Sequence, residues 1–238
     1  MSPFEITPED IIGLDDNQLR RVLNLLLEAE AKKFGVPLSA IRLGSNQSSA
    51  DGGEDARVEW EGPPERTDWF QNRYVSFQSK AEKMPPSALK REMTLKGILR
   101  PVFGNLAETN GTYVVFSTDN CSERMYTDRI KEMREVVDIL TRAERIYFEF
   151  YDASRVARWV NSFPGVAFEV RTEIGRPMVG WRHFENWSAP QIPTSHNYLI
   201  DEKPKMTFGG NNNKPVSIID AIDQFRSFLS TPGIATRE

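Results

Sequence analysis

Three side chains in the first third of the chain could together form a divalent-metal site. Asp55 opens an alternating run of residues, and Gln78 and Lys80 end the next such run. Carboxylate and amide oxygens are hard ligands of the kind that Mg²⁺ prefers. A neighbouring ammonium can orient or deprotonate an attacking water and stabilise the charge of a phosphate in its transition state. These residue types at these spacings indicate metal-dependent hydrolysis of phosphodiesters.

Two short strands are expected to bring these groups together. Residues 56–61 alternate with period two until Gly62-Pro63-Pro64 ends the run. In the strand predicted at 74–80, Val75 and Phe77 share one face, and Ser76, Gln78 and Lys80 share the other. Gln78 and Lys80 therefore project side by side.

A helix predicted from about Asp15 to Lys33 offers a further acid. Asp15 or Asp16 can cap its start, and Gly35 can close it. At about 100° per residue, Glu30 lies roughly 20° from Leu23, on the apolar stripe. A buried carboxylate needs a partner. A metal ion is one candidate, and water at the edge of a groove is the other.

Composition sets the broad class of protein. The chain has 238 residues, 39% hydrophobic and 27% charged, which is typical of a globular protein. The single cysteine excludes an internal disulfide and a cysteine zinc site. There is no apolar run long enough to cross a bilayer and no signal sequence at the start, so we expect a cytoplasmic protein with no membrane association.

Charge is unevenly spread along the chain. The net charge of −4 argues against a protein that coats nucleic acid by bulk electrostatics. Residues 80–100, however, contain six Lys and Arg against only Glu82 and Glu92. We expect Lys83, Lys90 and Arg91 in this stretch to contact nucleic acid. A solvated helix face is the alternative interpretation.

The remaining pattern alternates helices with strands. Helices are predicted at 86–103, 122–143 and 153–162, and strands at 40–43, 112–117 and 145–150. This order favours an α/β fold with a central mixed sheet and helices on both faces.

The residues around Asp55 and Lys80 resemble a known family. The run Asp51-Gly52-Gly53-Glu54-Asp55, followed by Phe77-Gln78-Ser79-Lys80, resembles the Mrr-like branch of the PD-(D/E)xK restriction-endonuclease superfamily. The resemblance implies a restriction-endonuclease-like core, Asp55 rather than Asp51 as the main metal ligand, and Gln78 and Lys80 completing the catalytic site. Glu30 matches the extra acid that many members carry on their first helix. Gln78 replaces the more usual Glu, which leaves one fewer negative ligand.

The resemblance also implies partners and domain limits. We expect a nuclease-like core at 1–165 that uses Mg²⁺ or Mn²⁺ on double-stranded DNA, then a C-terminal extension at 166–238 with a linker helix from Ser217 to Leu229. The end of the chain resembles the linker that precedes the nucleotide-binding module of bacterial STAND-type defence NTPases. An antiphage effector, activated by self-association or by fusion to such a module, is the implied context.

Three functions remain open on the sequence. The first is the Mg²⁺-dependent DNA endonuclease, with Glu30, Asp55, Gln78 and Lys80 as catalytic residues and the first three as metal ligands. The second is an inactive nuclease-fold module that binds nucleic acid or a partner, which the missing Glu would explain. In the third, Asp55, Gln78 and Lys80 form only a structural hydrogen-bonded cluster.

Overall fold

A five-stranded mixed β-sheet lies at the centre of the fold. The computed structural model describes residues 5–44, 54–177, 205–206, 216–217 and 220–223. The first seven strands are β1 (Ile41–Leu43), β2 (Ala56–Glu59), β3 (Tyr74–Lys80), β4 (Thr94–Leu95), β5 (Ile98–Leu99), β6 (Thr112–Ser117) and β7 (Tyr147–Tyr151). The order in the sheet is β1-β2-β3-β6-β7, with β1, β2 and β3 antiparallel and β3, β6 and β7 parallel.

Helices cover both faces of this sheet. They are α1 (Pro8–Ile12), α2 (Asp16–Phe34), α3 (Pro86–Met93), α4 (Val102–Thr109), α5 (Glu123–Val137), α6 (Ala153–Asn161) and α7 (Pro164–Glu173). The prediction of an α/β fold with a mixed sheet flanked by helices is confirmed. Among the described helices, none combines the length and the apolar character needed to cross a membrane.

The first hydrophobic core lies between the sheet and α1, α2, α6 and α7. Asp15 and Gly35 cap α2 as predicted, and Leu19, Leu23, Leu26 and Leu27 are fully buried. Trp159 of α6 lies at the centre of this core. Its ring is 5.2 to 6.3 Å from five other aromatic rings, those of Trp69, Phe70, Phe77, Phe116 and Tyr151.

The second core lies on the opposite face, between the sheet and α3, α4 and α5. Alternation along β3 divides its side chains between the two cores. Val75 and Phe77 belong to the first core and Tyr74 to the second, so the predicted division of β3 into two faces is confirmed. Strand β6, predicted at 112–117, lies between β3 and β7 and is buried along its whole length.

The predicted helix at 86–103 is wrong. Helix α3 ends at Met93, and β4 and β5 then form a hairpin before α4 begins at Val102. Lys96 and Gly97 have φ values of 52° and 79°, which a right-handed helix cannot include. The periodic apolar residues of this stretch mark two short helices on either side of a turn.

The predicted extension from 166, which was expected to pack on the core or to follow it, begins with residues of the first core. Helix α7 starts at Pro164, and its Val166, Ala167 and Val170 are buried in this core. The chain divides into two compact units, Met1–Ser188 and Ala189–Glu238.

In the second unit, β8 (Lys205–Met206) pairs antiparallel with β9 (Val216–Ser217), and residues 220–223 are helical. The predicted helix from Ser217 to Leu229 therefore begins later than expected, because Ser217 is in β9. Its residues 224–229 lie outside the described part of the chain.

Candidate active site

Asp55 is held where the start of β2 lies beside the end of β3. Its backbone N–H donates to the carbonyl oxygen of Phe77 over 2.8 Å, and its own carbonyl oxygen accepts from Gly44 over 2.8 Å. These bonds hold Asp55 immediately before β2, beside the last residues of β3. Asp51 of the same motif lies outside the described residues.

Asp55 and Gln78 are in direct contact, as the sequence predicted. Gln78 Nε2 donates to Asp55 Oδ2 over 2.8 Å, and the backbone N–H of Ser79 donates to the same oxygen over 2.8 Å. Gln78 is 6% exposed, so its amide is held in a nearly water-free position.

Arg20 supplies a cation to the other oxygen of Asp55. Its Nη2 donates to Asp55 Oδ1 over 3.0 Å, and the two side chains are 27% and 16% exposed. Arg20 lies in the second turn of α2, which reaches the site from the first core. Both oxygens of the carboxylate are therefore engaged by protein donors.

Lys80 has its own counter-charge. Its Nζ lies 2.9 Å from Oε2 of Glu92, in the last turn of α3. Arg100 also contacts Glu92. Its Nε donates to the backbone carbonyl oxygen of Glu92 over 2.6 Å, and its Nη2 lies 3.7 Å from Glu92 Oε1. The ammonium is thus fixed by a carboxylate of α3, a helix that packs against the second core.

Burial controls the ionisation of Asp55. Removal from water raises the pKa of its carboxyl, against the lowering effects of the Ser79 N–H and of the charges of Arg20 and Lys80. The charge of Glu92 acts in the same direction as burial and raises this pKa further. Asp55 therefore lies within the electrostatic reach of Lys80 and Glu92 as well as in contact with Gln78.

Glu30 lies elsewhere in the fold. It is 0% exposed, which confirms that it faces the core, but its Oε1 accepts from the backbone N–H of Trp69 over 3.1 Å. Ten residues of α2 separate Arg20 from Glu30, about 15 Å along the helix axis. Trp69 also precedes β3, whereas Lys80 ends that strand. The geometry therefore does not support the predicted role of Glu30 as a catalytic residue that shares a metal with Asp55.

The surroundings of Glu30 predict a pH-dependent effect on stability. Burial raises the pKa of Glu30 above 4.5, against smaller lowering effects from Thr67 and the Trp69 N–H, and its Oε2 has no hydrogen-bond partner. The folded protein consequently disfavours the ionised form. The free energy of unfolding should fall as pH rises from the ordinary pKa through the folded pKa.

Glu30→Gln should escape this loss. We expect it to exceed the wild type in free energy of unfolding above this window and to match it at lower pH. Urea unfolding across the pH range measures the difference. Glu28→Gln, at an exposed position of the same helix, is the control and should give a flat difference. A lower stability of Glu30→Gln at neutral pH would contradict the assignment.

The expected nucleic-acid contacts lie close to the site in the chain. Lys83 follows β3, and Lys90 and Arg91 are in the last turn of α3, beside Glu92. All three are exposed. No carboxylate of the described residues lies within 4.0 Å of any of them. They are available to an anionic ligand.

Three residues of the site escaped the sequence argument: Asp16, Arg20 and Glu92. Asp16 Oδ1 accepts from the backbone N–H of Ala81 over 2.9 Å, so the start of α2 lies against the end of β3. Asp16 and Arg20 are one helical turn apart and share a face. The signal for Glu92 was its place between Arg91 and a further run of cations, where an acid is expected to have a cationic partner.

The donor groups set the limits of metal binding. Within the described ranges, no group of three or more His, Cys, Asp or Glu could hold a metal ion. Asp55 and Gln78 offer one carboxylate and one amide oxygen, once the amide turns over to exchange its oxygen and nitrogen. Mg²⁺ is commonly bound by one or two carboxylates, with water and substrate phosphate as its other ligands. These residues fit one such ion.

Comparison of the chain with protein-family models, with curated proteins and with solved structures finds no match.

Proposed function

We propose that this protein is a Mg²⁺-dependent DNA endonuclease of the Mrr-like PD-(D/E)xK type, with a restriction-endonuclease-like fold. The observation that carries the proposal is the 2.8 Å hydrogen bond between Gln78 and Asp55, with Lys80 on the same strand face as Gln78. The mixed sheet with helices on both faces agrees with the fold that the resemblance implies.

Each residue has a distinct chemical role in this proposal. Asp55 and Gln78 would hold the metal ion, and a bound Mg²⁺ supplies Lewis acidity to the phosphate and to a coordinated water. The Ser79 N–H orients the Asp55 carboxylate before a ligand binds. Lys80 presents an ammonium to the negative charge that develops on the phosphate during hydrolysis.

Arg20 and Glu92 position these groups. Arg20 balances the charge of Asp55 when no other cation is bound, and a divalent ion at Asp55 would repel its guanidinium. Glu92 fixes Lys80, while Arg100 offsets part of the negative charge of Glu92. The proposed substrate is double-stranded DNA. Activation by oligomerisation within a larger antiphage defence protein belongs to the same proposal.

The experiment is plasmid cleavage by the full chain, alone and forcibly clustered, with Mg²⁺, with Mn²⁺ and with a chelator. We expect cleavage only with metal. Asp55→Asn should lower the rate by about 10²-fold or more, because it removes the only carboxylate of the pair. Asparagine keeps the size of Asp55 and an oxygen that can accept from the Ser79 N–H.

Glu30→Gln is the matched control, an acid-to-amide change outside the site, and it should cleave at the wild-type rate. Asp55→Asn that cleaves as fast as the wild type would overturn the assignment of the site. An equal loss in Glu30→Gln with its fold intact would restore Glu30 to the site.

A catalytically inactive nuclease-fold module for nucleic-acid binding or interaction is the second candidate. The observation that favours it is that Arg20 already pairs with Asp55, and Glu92 with Lys80, so the cluster is balanced without a metal ion. This candidate predicts no cleavage with either metal, even when the protein is clustered. Calorimetric titration with Mn²⁺ separates the two candidate functions. Only the endonuclease requires that Mn²⁺ binds to the wild type and that Asp55→Asn abolishes this binding.

A further inference from the structure

The hairpin between α3 and α4 presents an exposed apolar face. In β4 and β5, Thr94 pairs with Leu99, and Leu95 pairs with Ile98. Residues paired directly across two strands point to the same side. Leu99 packs against the second core, whereas Leu95 and Ile98 are 54% and 73% exposed. The hairpin is thus anchored by one face and leaves two branched apolar side chains in solvent.

The turn of this hairpin is a tight two-residue loop. Lys96 and Gly97 both have positive φ, which is the geometry of a type I′ turn. Asn is better suited than Lys to the first of these positions, because a left-handed conformation is costly for most residues with a side chain. The lysine at the tip is therefore not explained by the requirements of the turn.

Three exposed cations lie close to the apolar pair in the chain. Lys96 is exposed at the tip, and Lys90 and Arg91 are exposed at the end of the adjoining helix. Within the described part of the chain, none of these three has a carboxylate within 4.0 Å. Apolar side chains flanked by unpaired cations complement a DNA groove bordered by phosphates.

The hairpin is also tied directly to the candidate site. Arg100 follows β5 and bonds to Glu92, which in turn holds Lys80. Lys96 at the tip is four residues from both Glu92 and Arg100 in the chain, which is about 14 Å at most. A ligand in contact with the tip would therefore lie near the groups that support Lys80.

We propose that the hairpin formed by β4 and β5 is a DNA-binding element that places Leu95 and Ile98 in the minor groove of a duplex and Lys96 on a phosphate. This inference rests on the proposed function, since it takes DNA as the substrate. Thr94 donates its hydroxyl to the backbone carbonyl oxygen of Lys90, so Lys96 is the only residue of the hairpin with a polar side chain free to reach the DNA. The contact is therefore independent of base sequence.

The test measures binding of the full chain to a fluorescent DNA duplex in the presence of a chelator, at several salt concentrations. The double variant Leu95→Ser/Ile98→Ser should weaken binding about 10-fold with an unchanged salt dependence, because it removes only apolar contact. Lys96→Asn should weaken binding about 3- to 10-fold and reduce the slope of log K against log salt by about 1.

Controls separate DNA contact from loss of structure. Asn suits a type I′ turn, so Lys96→Asn should unfold at the same or a higher urea concentration than the wild type. Ile139→Ser removes an apolar side chain that is 80% exposed outside the hairpin, and it should bind DNA like the wild type.

Three results would overturn the inference. The first is a wild type that does not bind the duplex, and the second is hairpin variants that bind it as tightly as the wild type. The third is a wild type that self-associates through this face, with a double variant that is monomeric and binds DNA normally. Binding is measured without metal and so does not depend on cleavage. If the wild type never cleaves DNA but the hairpin variants bind it more weakly, only the proposed activity is contradicted. Cleavage with unchanged affinity in those variants would contradict only the hairpin.

Discussion

Lys80→Ala is expected to lower the rate of metal-dependent plasmid cleavage by about 10²–10³-fold, comparable to the loss of one preorganised electrostatic group at a transition state. The ammonium follows Gln78 on the same face of β3 and is fixed 2.9 Å from Glu92. No other described cation is held at this position. Arg20 is engaged by Asp55, and Arg100 by the carbonyl oxygen and Oε1 of Glu92.

The loss of activity should not reflect unfolding. Lys80 and Glu92 are about one-fifth exposed, and a partly exposed ion pair contributes about 1 kcal/mol or less. Arg100 also remains beside Glu92 in the variant, so that carboxylate is not left without a partner. Equal urea unfolding curves for wild type and variant would establish this point.

Single-turnover cleavage at saturating DNA measures the chemical step apart from binding. Lys131→Ala removes a lysine paired with Glu135 on the exposed face of α5, and it is the matched control with an expected wild-type rate. Cleavage by Lys80→Ala within about threefold of the wild type would mean that the cluster is structural.

Trp159→Ala is expected to lower the free energy of unfolding by about 3–5 kcal/mol, which is a large part of the stability of a typical domain. The indole is fully buried and packs among five aromatic rings, nearest to Trp69 in a stacked arrangement at 5.2 Å. Alanine would leave a cavity that these rigid rings cannot easily fill. Urea unfolding followed by circular dichroism measures the change.

A second substitution makes the result specific. Trp159→Phe keeps an aromatic ring and loses little hydrogen bonding, because the indole Nε1 has no partner. We expect its cost to be well below that of alanine. Arg158→Ala, exposed at the preceding position of α6, should have an effect within about 0.5 kcal/mol. Similar losses in all three variants would contradict the role of the buried ring.

Local periodicity was sufficient to predict the elements nearest the site. Strand β3 has the predicted bounds, and α2 lies within one residue of its prediction, because each has a clear pattern and its own end signals. The contact between Asp55 and Gln78 followed from placing one residue at the start of a strand and the other near the end of its neighbour.

The rest of the site depends on contacts between distant parts of the chain. Glu30 faces the core as its helical angle required, but an angle gives no position along the helix axis, and Glu30 lies near the wrong end of α2. Arg20 and Glu92 meet their partners only through packing against opposite faces of the sheet. The hairpin was missed because Lys96 is an unusual residue for a left-handed turn position.

The attachment of α2 and α3 to opposite faces of the sheet divides the site mechanically. Helix α2 holds the carboxylate through Arg20, and α3 holds the ammonium through Glu92. The sheet lies between these two supporting helices. A substitution that loosens the packing of α2 should displace Asp55 and leave Lys80 in place, and one that loosens α3 should do the reverse. In the proposed nuclease, affinity for the metal ion and the rate of cleavage should therefore respond to separate sets of substitutions, one in each layer.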